Sequence, residues 1–139
     1  MKKINSRNKG AAFERLIVNK INDCLEGVGL EDRVSRNFDQ SWKAGLADIY
    51  FRNFCIECKR YGNSNTNMYK QGWWEQVLKS AGEDFIPILI YKFDRKPIYC
   101  VVPAYLVSSA PKNNQVVYMC PLEELCKKMG QILEVKNDG

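Results

Sequence analysis

The hydrophobic periodicity of this chain changes from helical to strand-type spacing and back, which limits the folds it can adopt. Apolar residues recur at every fourth position through residues 8–25, which predicts an amphipathic helix. Residues 46–51 and 54–60 are short apolar runs joined by two polar residues, which indicates paired strands. Residues 68–81 return to the helical pattern, and Gly82 fits the end of that helix.

The second half of the chain continues the sheet and then adds a helix. Residues 86–93 and 97–102 look like a hairpin that turns at residues 94–96. Residues 115–120 are expected to form a further short strand. Residues 121–129 are predicted as a short helix with proline at its start.

The order of these elements predicts the fold class. With a weak strand at residues 33–38, the order is α-β-β-β-α-β-β-(β)-α, which indicates an α/β structure with a central mixed sheet flanked by helices. The length fits one domain, which we place at residues 1–130 and which begins with a basic N-terminal arm. Residues 131–139 are expected to form a flexible tail.

The composition excludes several classes of protein. The 139 residues include no histidine, so Ser-His-Asp triads and zinc sites with imidazole ligands are excluded. The longest apolar runs are far shorter than a membrane span, and the N-terminus lacks the apolar stretch of a secretory signal. We therefore expect a soluble cytoplasmic protein with no membrane partner.

The six cysteines are interpreted as small hydrophobic residues in a reducing compartment. Cys55 and Cys58 have the C-x-x-C spacing, but in a strand their sulfurs point to opposite faces. That arrangement suits neither a shared zinc ion nor a redox pair. A redox or zinc protein is therefore a third hypothesis only, and we expect no zinc in the purified protein.

Positive charge is concentrated at the N-terminus. The chain has a net charge of +5, and residues 1–20 carry six basic side chains against the single acid Glu14. The basic residues of this segment are Lys2, Lys3, Arg7, Lys9, Arg15 and Lys20. A basic arm that leads into a helix suits a phosphate backbone. A solvated face that only keeps the protein soluble explains the charge equally well.

Two acids and a lysine fall on the predicted strands at positions that bring them together. Side chains alternate between the faces of a strand, so Glu57 and Lys59 project from the same face. Asp48 shares a face with Tyr50, and an antiparallel neighbour presents Asp48 beside Glu57. Two carboxylates this close repel each other unless a proton or a cation lies between them. Mg²⁺ or Mn²⁺ is the ion that such oxygen ligands favour.

Glu14 adds a third acid on the apolar side of the first helix. A carboxylate that faces a core is costly unless it is paired or close to a metal. We therefore expect Glu14 to bind a second ion, directly or through water.

This set of residues predicts hydrolysis of a phosphodiester. Asp48, Glu57 and the backbone carbonyl of Cys58 would hold one or two divalent ions, which activate water and neutralise phosphate charge. Lys59 would orient or deprotonate the attacking water. An E-x-K pattern alone is more often a surface ion pair. The order of acidic helix, aspartate strand and E-x-K strand is what favours a nuclease.

Three segments resemble the PD-(D/E)XK nuclease superfamily. They are Arg7-Asn-Lys-Gly-Ala-Ala-Phe-Glu-Arg15, Gly45-Leu-Ala-Asp-Ile49 and Ile56-Glu-Cys-Lys59. Over about residues 7–126 the chain is similar to Holliday junction resolvases of archaeal and bacteriophage type, including Trp73-Trp-Glu-Gln76 on the second predicted helix. Ala47 stands where the name of the superfamily has a proline, and many members share that difference.

The resemblance implies a restriction-endonuclease-like fold with an α-β-β-β-α-β core. It implies cleavage of branched or duplex DNA by a homodimer, with Mg²⁺ or Mn²⁺ and no organic cofactor, in a prokaryotic cell or a phage-infected host. Asp48, Glu57 and Lys59 inherit the catalytic roles, Glu14 the helix acid, and Gln76 a glutamine beside the site.

The resemblance leaves alternatives open. The same fold serves restriction, repair and phage DNA-processing nucleases. A nucleic-acid-binding module without cleavage is the alternative from another class, although clustered acids that repel phosphate disfavour it.

Further residues are candidates for DNA contact. Trp42, in the polar loop between Asp39 and Asp48, could contact DNA together with the flanking residues Arg36 and Lys43. A basic rim around the site could include Arg60, Lys70, Lys92, Arg95 and Lys96, or these side chains could simply be solvated. Trp73 and Trp74 could stack on a base, and we expect one of them in the core and the other exposed, but their helical spacing favours core packing over stacking.

Overall fold

The computed structural model describes residues 6–36 and 47–137, with side chains described for residues 9–36 and 47–133. The elements, in chain order, are helix α1 (Ser6–Gly27), strands β1 (Ile49–Phe51) and β2 (Phe54–Arg60), helix α2 (Gln71–Ala81), strands β3 (Ile86–Lys92) and β4 (Tyr99–Pro103), a 3-10 turn (Ala104–Leu106), strand β5 (Val117–Pro121) and helix α3 (Leu122–Asn137).

The five strands form one mixed sheet in the order β1-β2-β3-β4-β5. β1 pairs antiparallel with β2, β2 parallel with β3, and the remaining neighbours antiparallel. The single parallel pair requires a crossover, which α2 supplies. The predicted α/β class with a mixed sheet flanked by helices is confirmed, and the architecture is consistent with a restriction-endonuclease-like fold.

Helices cover both faces of the sheet. Phe54 and Ile56 of β2 belong to one apolar cluster with the buried residues of α1 and α3. Cys55 belongs to a second cluster on the opposite face, with Trp74 and Val77 of α2. The alternation along β2 thus divides the core into two layers, and the odd-numbered residues of this strand face α2.

Across residues 6–36 and 47–137, none of the helices has both the length and the apolar character needed to cross a bilayer.

Two strand boundaries differ from the prediction. Of the weak strand predicted at residues 33–38, residues 33–36 show only an isolated bridge between Arg36 and Ile49, so the prediction is wrong for these four residues, and residues 37 and 38 lie outside the described residues. β1 begins at Ile49, and Ala47 and Asp48 precede it. The two-residue turn to β2 is confirmed, with Phe51 opposite Phe54 and Arg52 in the left-handed region at φ 53°.

α2 starts later than predicted and ends where predicted. The helix begins at Gln71 rather than residue 68, because Lys70 is still extended at φ −82° and ψ 137°. Gly82 ends the helix with a positive φ of 55°, and its N–H donates to the carbonyl of Leu78 at 3.0 Å. That conformation favours glycine.

α3 is longer than predicted. It runs from Leu122 to Asn137, so the expected end near Met129 is wrong, and the residues from Gln131 that were expected in a flexible tail are helical as far as Asn137. Ile132 and Leu133 are buried in the apolar cluster that α3 shares with α1 and the sheet. Their apolar surface stabilises the extra turns.

Candidate active site

Asp48 and Glu57 lie beside each other at the open end of the β1–β2 hairpin, away from its turn. Ile49 lies opposite Ile56 in the antiparallel register, so the same register places Asp48 opposite Glu57. The backbone N–H of Cys58 donates a hydrogen bond of 2.7 Å to Asp48 Oδ2. The sheet itself therefore holds the two carboxylates beside each other, as the strand pattern predicted.

Glu57 is nearly inaccessible to solvent, with 2% of its surface exposed. Gln76 Nε2 of α2 donates a hydrogen bond of 3.2 Å to Glu57 Oε2. The other oxygen, Oε1, is buried and forms no hydrogen bond with any group in the described residues. A buried carboxylate oxygen without a partner is destabilising, and a cation or a proton relieves it.

The electrostatics of the pair follow from this burial. Desolvation, followed by the neighbouring charge of Asp48, raises the pKa of Glu57 to about 8. Lys59 opposes the shift and lowers that pKa, which places its positive charge within range of the Glu57 carboxylate. A site that holds a proton near neutral pH in this way also attracts a divalent cation, because either one reduces the repulsion between the two acids.

Lys59 follows Glu57 on the same face of β2 and is partly exposed. Within the described part of the chain its amine forms no ion pair. An amine placed beside two carboxylates without being held by an ion pair is suited to contact a substrate or a water molecule.

Glu14 of α1 lies close to the pair but has its own partner. Arg36 Nε is 3.1 Å from Glu14 Oε1, and both side chains are largely shielded from solvent. Burial, and then the charge of Asp48, raises the pKa of Glu14, while Arg36 lowers it. Sequence reasoning treated Arg36 as a DNA contact and missed this ion pair, since nothing in the sequence links residues so far apart.

The donor set has the chemistry of a site for a hard divalent ion. Asp48 and Glu57 supply carboxylate oxygens, and one of these oxygens is buried without a hydrogen-bond partner among the described residues. Among the described side chains, no three histidine, cysteine, aspartate or glutamate residues converge as a metal-binding group. The arrangement is therefore a pair of acids, with Glu14 held by Arg36.

Asp94 forms ion pairs with two of the basic residues that were predicted to contact DNA. Asp94, in the turn between β3 and β4, contacts Arg60 Nη2 at 2.8 Å and Lys9 Nζ at 3.3 Å through its Oδ1 atom. Arg95 Nη2 donates to Asn63 Oδ1 at 2.7 Å. Sequence reasoning missed Asp94, whose contacts with Arg60 and Lys9 join the end of β2 to the start of α1.

The remaining predicted DNA contacts are either at least partly exposed to solvent or outside the described residues. Arg15 is exposed on α1, and Lys96 is partly exposed in the β3–β4 turn. Lys2, Lys3, Trp42, Lys43 and the side chain of Arg7 lie outside the described residues.

Trp73 and Trp74 are both buried, so the preference for core packing is confirmed and the expectation that one of the two is exposed is wrong. Trp74 Nε1 donates to the carbonyl of Asn114 at 3.1 Å. Cys55 and Cys58 contribute to different faces of the sheet, as predicted. Burial, with Glu57 and Asp48 nearby, raises the pKa of the Cys55 thiol to about 12. A thiol that resists deprotonation is a poor zinc ligand.

Comparison with known proteins identifies the family of the chain. No curated protein and no solved structure matches the chain. A family model described as "Phage putative PDDEXK endonuclease" matches residues 5–130, a span that includes Glu14, Asp48, Glu57, Lys59 and Gln76. Because that match extends over most of the sequence, the chain belongs to the phage putative PDDEXK endonuclease family.

Proposed function

We propose that this protein is a divalent-metal-dependent, structure-selective DNA endonuclease that resolves Holliday junctions. The observation that carries the proposal is the pairing of Asp48 with Glu57 in a water-excluded position, with one Glu57 oxygen left without a hydrogen bond. Membership of a phage endonuclease family supports the nuclease activity. The choice of a four-way junction rests on the sequence resemblance to resolvases.

Asp48, Glu57 and the carbonyl of Cys58 would hold Mg²⁺ or Mn²⁺. A residue in a strand directs its N–H and C=O to the same side, so the Cys58 carbonyl is expected to face the edge where Asp48 accepts the Cys58 N–H. The bound ion supplies acidity to water and neutralises charge on the phosphate. Gln76 holds Glu57 Oε2 by a hydrogen bond, so Oε1 is the oxygen that would bind the ion.

Lys59 acts on the substrate side of the same strand face. Its amine can orient the attacking water and stabilise negative charge that develops on the phosphate. Glu14 and Arg36 form an ion pair next to Asp48. We assign Glu14 to a second ion, bound directly or through water. To bind that ion, the Glu14 carboxylate must either release Arg36 or contact Arg36 and the ion at the same time.

A homodimer fits this task, because a junction has two symmetric strands to cut and an isologous dimer presents two sites related by the same symmetry. The basic residues Lys9, Arg60, Arg95 and Lys96 would contact phosphates and read the shape of the branched DNA rather than its sequence.

The test compares a four-way junction, a flap and a linear duplex of the same sequences at equal concentration with Mg²⁺. Glu57→Gln is the inactive control, and Glu26→Gln, which changes an exposed acid of α1, is the matched active control. We expect the junction to be cut fastest, at symmetric positions on two strands. Equal cutting of all three substrates would indicate a general nuclease and not a junction resolvase. Binding without cutting, with either Mg²⁺ or Mn²⁺, would leave a nucleic-acid-binding module.

A further inference from the structure

Tyr61 lies immediately after β2 and keeps a large aromatic surface in solvent. It continues the alternation of Glu57 and Lys59, so all three project from the face of the sheet that α2 covers. Its ring packs on Trp73, with centroids 4.8 Å apart and planes inclined by 31°. Even so, 43% of Tyr61 remains exposed. The inner side of the ring covers Trp73, and the rest remains accessible to a partner.

A cation accompanies the exposed ring. Lys70 Nζ, at the start of α2, lies 5.0 Å from the centroid of Tyr61 and 5.8 Å from that of Trp73. Lys70 itself is exposed. An aromatic surface bordered by a positive charge is complementary to a flat ring that carries a phosphate.

The segment between Tyr61 and Lys70 is held in place by its own contacts. The N–H of Tyr61 donates to the carbonyl of Lys92 at 3.0 Å. The hydroxyl of Tyr91 donates to the carbonyl of Asn67 at 2.5 Å. Ser64 Oγ accepts the N–H of Thr66, and Thr66 Oγ1 accepts the N–H of Met68. The surface therefore exists before a ligand arrives, which reduces the entropy lost on binding.

The distance of Tyr61 from the Asp48–Glu57 pair indicates which ligand the exposed ring would bind. Tyr61 is four residues beyond Glu57, about 13 Å along an extended strand. A nucleotide on Tyr61 would therefore lie close to one whose phosphate contacts the ion that Asp48 and Glu57 would hold. A base inside a duplex is already stacked on its neighbours, so only an unpaired base can lie on the ring.

We propose that Tyr61 and Lys70, backed by Trp73, form a binding site for an unpaired nucleotide of DNA next to the cleavage centre. The base stacks on the exposed part of Tyr61, and the Lys70 ammonium contacts the adjoining phosphate. This inference rests on the proposed nuclease function and gives a physical reason for a preference for branched DNA whose bases at the branch point, next to the cut, are unpaired.

The test measures binding in a chelating buffer, so that no cleavage occurs. Affinities for an oligothymidine and for a duplex of equal length are compared for the wild type and for Tyr61→Leu, Tyr61→Phe and Lys70→Gln. Lys79→Gln, which changes an exposed lysine in the last turn of α2, is the matched control. Tyr61→Leu is expected to lower the ratio of single-strand to duplex affinity by about 5- to 150-fold, and Tyr61→Phe to preserve it. Lys70→Gln is expected to reduce the salt slope for oligothymidine by about 0.7.

An unchanged ratio in Tyr61→Leu would overturn the proposal, as would an equal loss of affinity for both ligands, which indicates a structural role. A second measurement covers the case in which Tyr61→Leu does not fold. A fluorescent adenine analogue within the oligothymidine should be quenched when the wild type binds, and bound DNA without quenching at any position would also overturn the proposal. Failure of the wild type to cut DNA in a separate assay with Mg²⁺ would count against the nuclease function and not against this binding site.

Discussion

Gln76 and Glu57 belong to different layers of the fold, yet Gln76 Nε2 donates a hydrogen bond to Glu57 Oε2 across 3.2 Å. Helix α2, which carries Gln76, thereby fixes one oxygen of the buried Glu57 carboxylate. The second oxygen has no hydrogen-bond partner among the described residues. One acid thus has an oxygen tied to the scaffold and an oxygen available to a cation, which is the arrangement that a metal ligand with an outer supporting contact requires.

Gln76→Ala should therefore weaken catalysis without unfolding the protein, because Gln76 is exposed and contributes only its amide to the site. We expect a fall of about 10- to 100-fold in kcat and a requirement for more Mg²⁺. The measurement is the cleavage rate over a range of Mg²⁺ concentrations, with Gln71→Ala in the same helix as the control. A wild-type dependence on Mg²⁺ in Gln76→Ala would show that this hydrogen bond does not position Glu57.

The stability of the metal-free protein should fall as the pH rises through neutrality. The pKa of Glu57 is raised from 4.5 to about 8, so between these values the folded state binds more protons than the unfolded state. The free energy of unfolding then decreases with rising pH, by an amount on the order of a few kcal/mol for so buried a group. Below about pH 4.5 the carboxyl is protonated in both states and no longer contributes a slope.

Denaturant unfolding in a chelating buffer, at about pH 5 and about pH 9, checks this expectation. Glu57→Gln removes the titrating group and should flatten the profile, whereas Glu26→Gln, which changes an exposed acid, should keep the wild-type slope. Added Mg²⁺ should restore stability at the higher pH in the wild type. Equal slopes in the wild type and Glu57→Gln would mean that Glu57 titrates normally.

Much of the site follows from the sequence because strand geometry is regular. Period-two alternation put Glu57 and Lys59 on one face, and a tight turn at Arg52-Asn53 implied the antiparallel register that places Asp48 opposite Glu57. The contact between Glu14 and Arg36 depends instead on how the segment after α1 folds back, which no local pattern encodes.

The errors in the predicted elements also have physical causes. The α3 helix was ended too early because Gly130 follows Met129, although Ile132 and Leu133 continue the apolar stripe three and four residues on. The sequence alone favoured a strand near Val34, which is buried. Among residues 33–36, which the structure describes, only one bridge forms, because burial of a single side chain does not require a ladder of backbone hydrogen bonds.

Glu14→Gln should slow cleavage but leave the main site intact. The substitution removes a negative charge near Asp48 and weakens the pairing with Arg36. We expect a loss of about 10- to 100-fold, smaller than for changes in the acid pair, and a shift of the Mg²⁺ dependence to higher concentration. Cleavage rates for Glu14→Gln and the control Glu26→Gln test this. A wild-type rate in Glu14→Gln would remove Glu14 from the catalytic group.

Asp94→Asn should strengthen DNA binding. The carboxylate holds Arg60 and Lys9, and its own negative charge opposes the approach of phosphate. Removing that charge is expected to raise affinity at low salt, while Arg60→Ala should lower affinity and reduce the salt slope by about 1. Lys79→Ala is the control for loss of a positive charge elsewhere. Weaker binding by Asp94→Asn would show that orienting Arg60 and Lys9 matters more than the added repulsion.

We expect Asp48 and Glu57 together to hold the ion that makes the protein a nuclease. The most direct measurement is the rate of Mg²⁺-dependent DNA cleavage by Asp48→Asn and Glu57→Gln, beside Asp84→Asn, which changes an exposed acid. The two site variants should lose roughly a thousandfold or more in rate while still binding DNA, and Asp84→Asn should match the wild type. Cleavage at the wild-type rate by either site variant would contradict the claim.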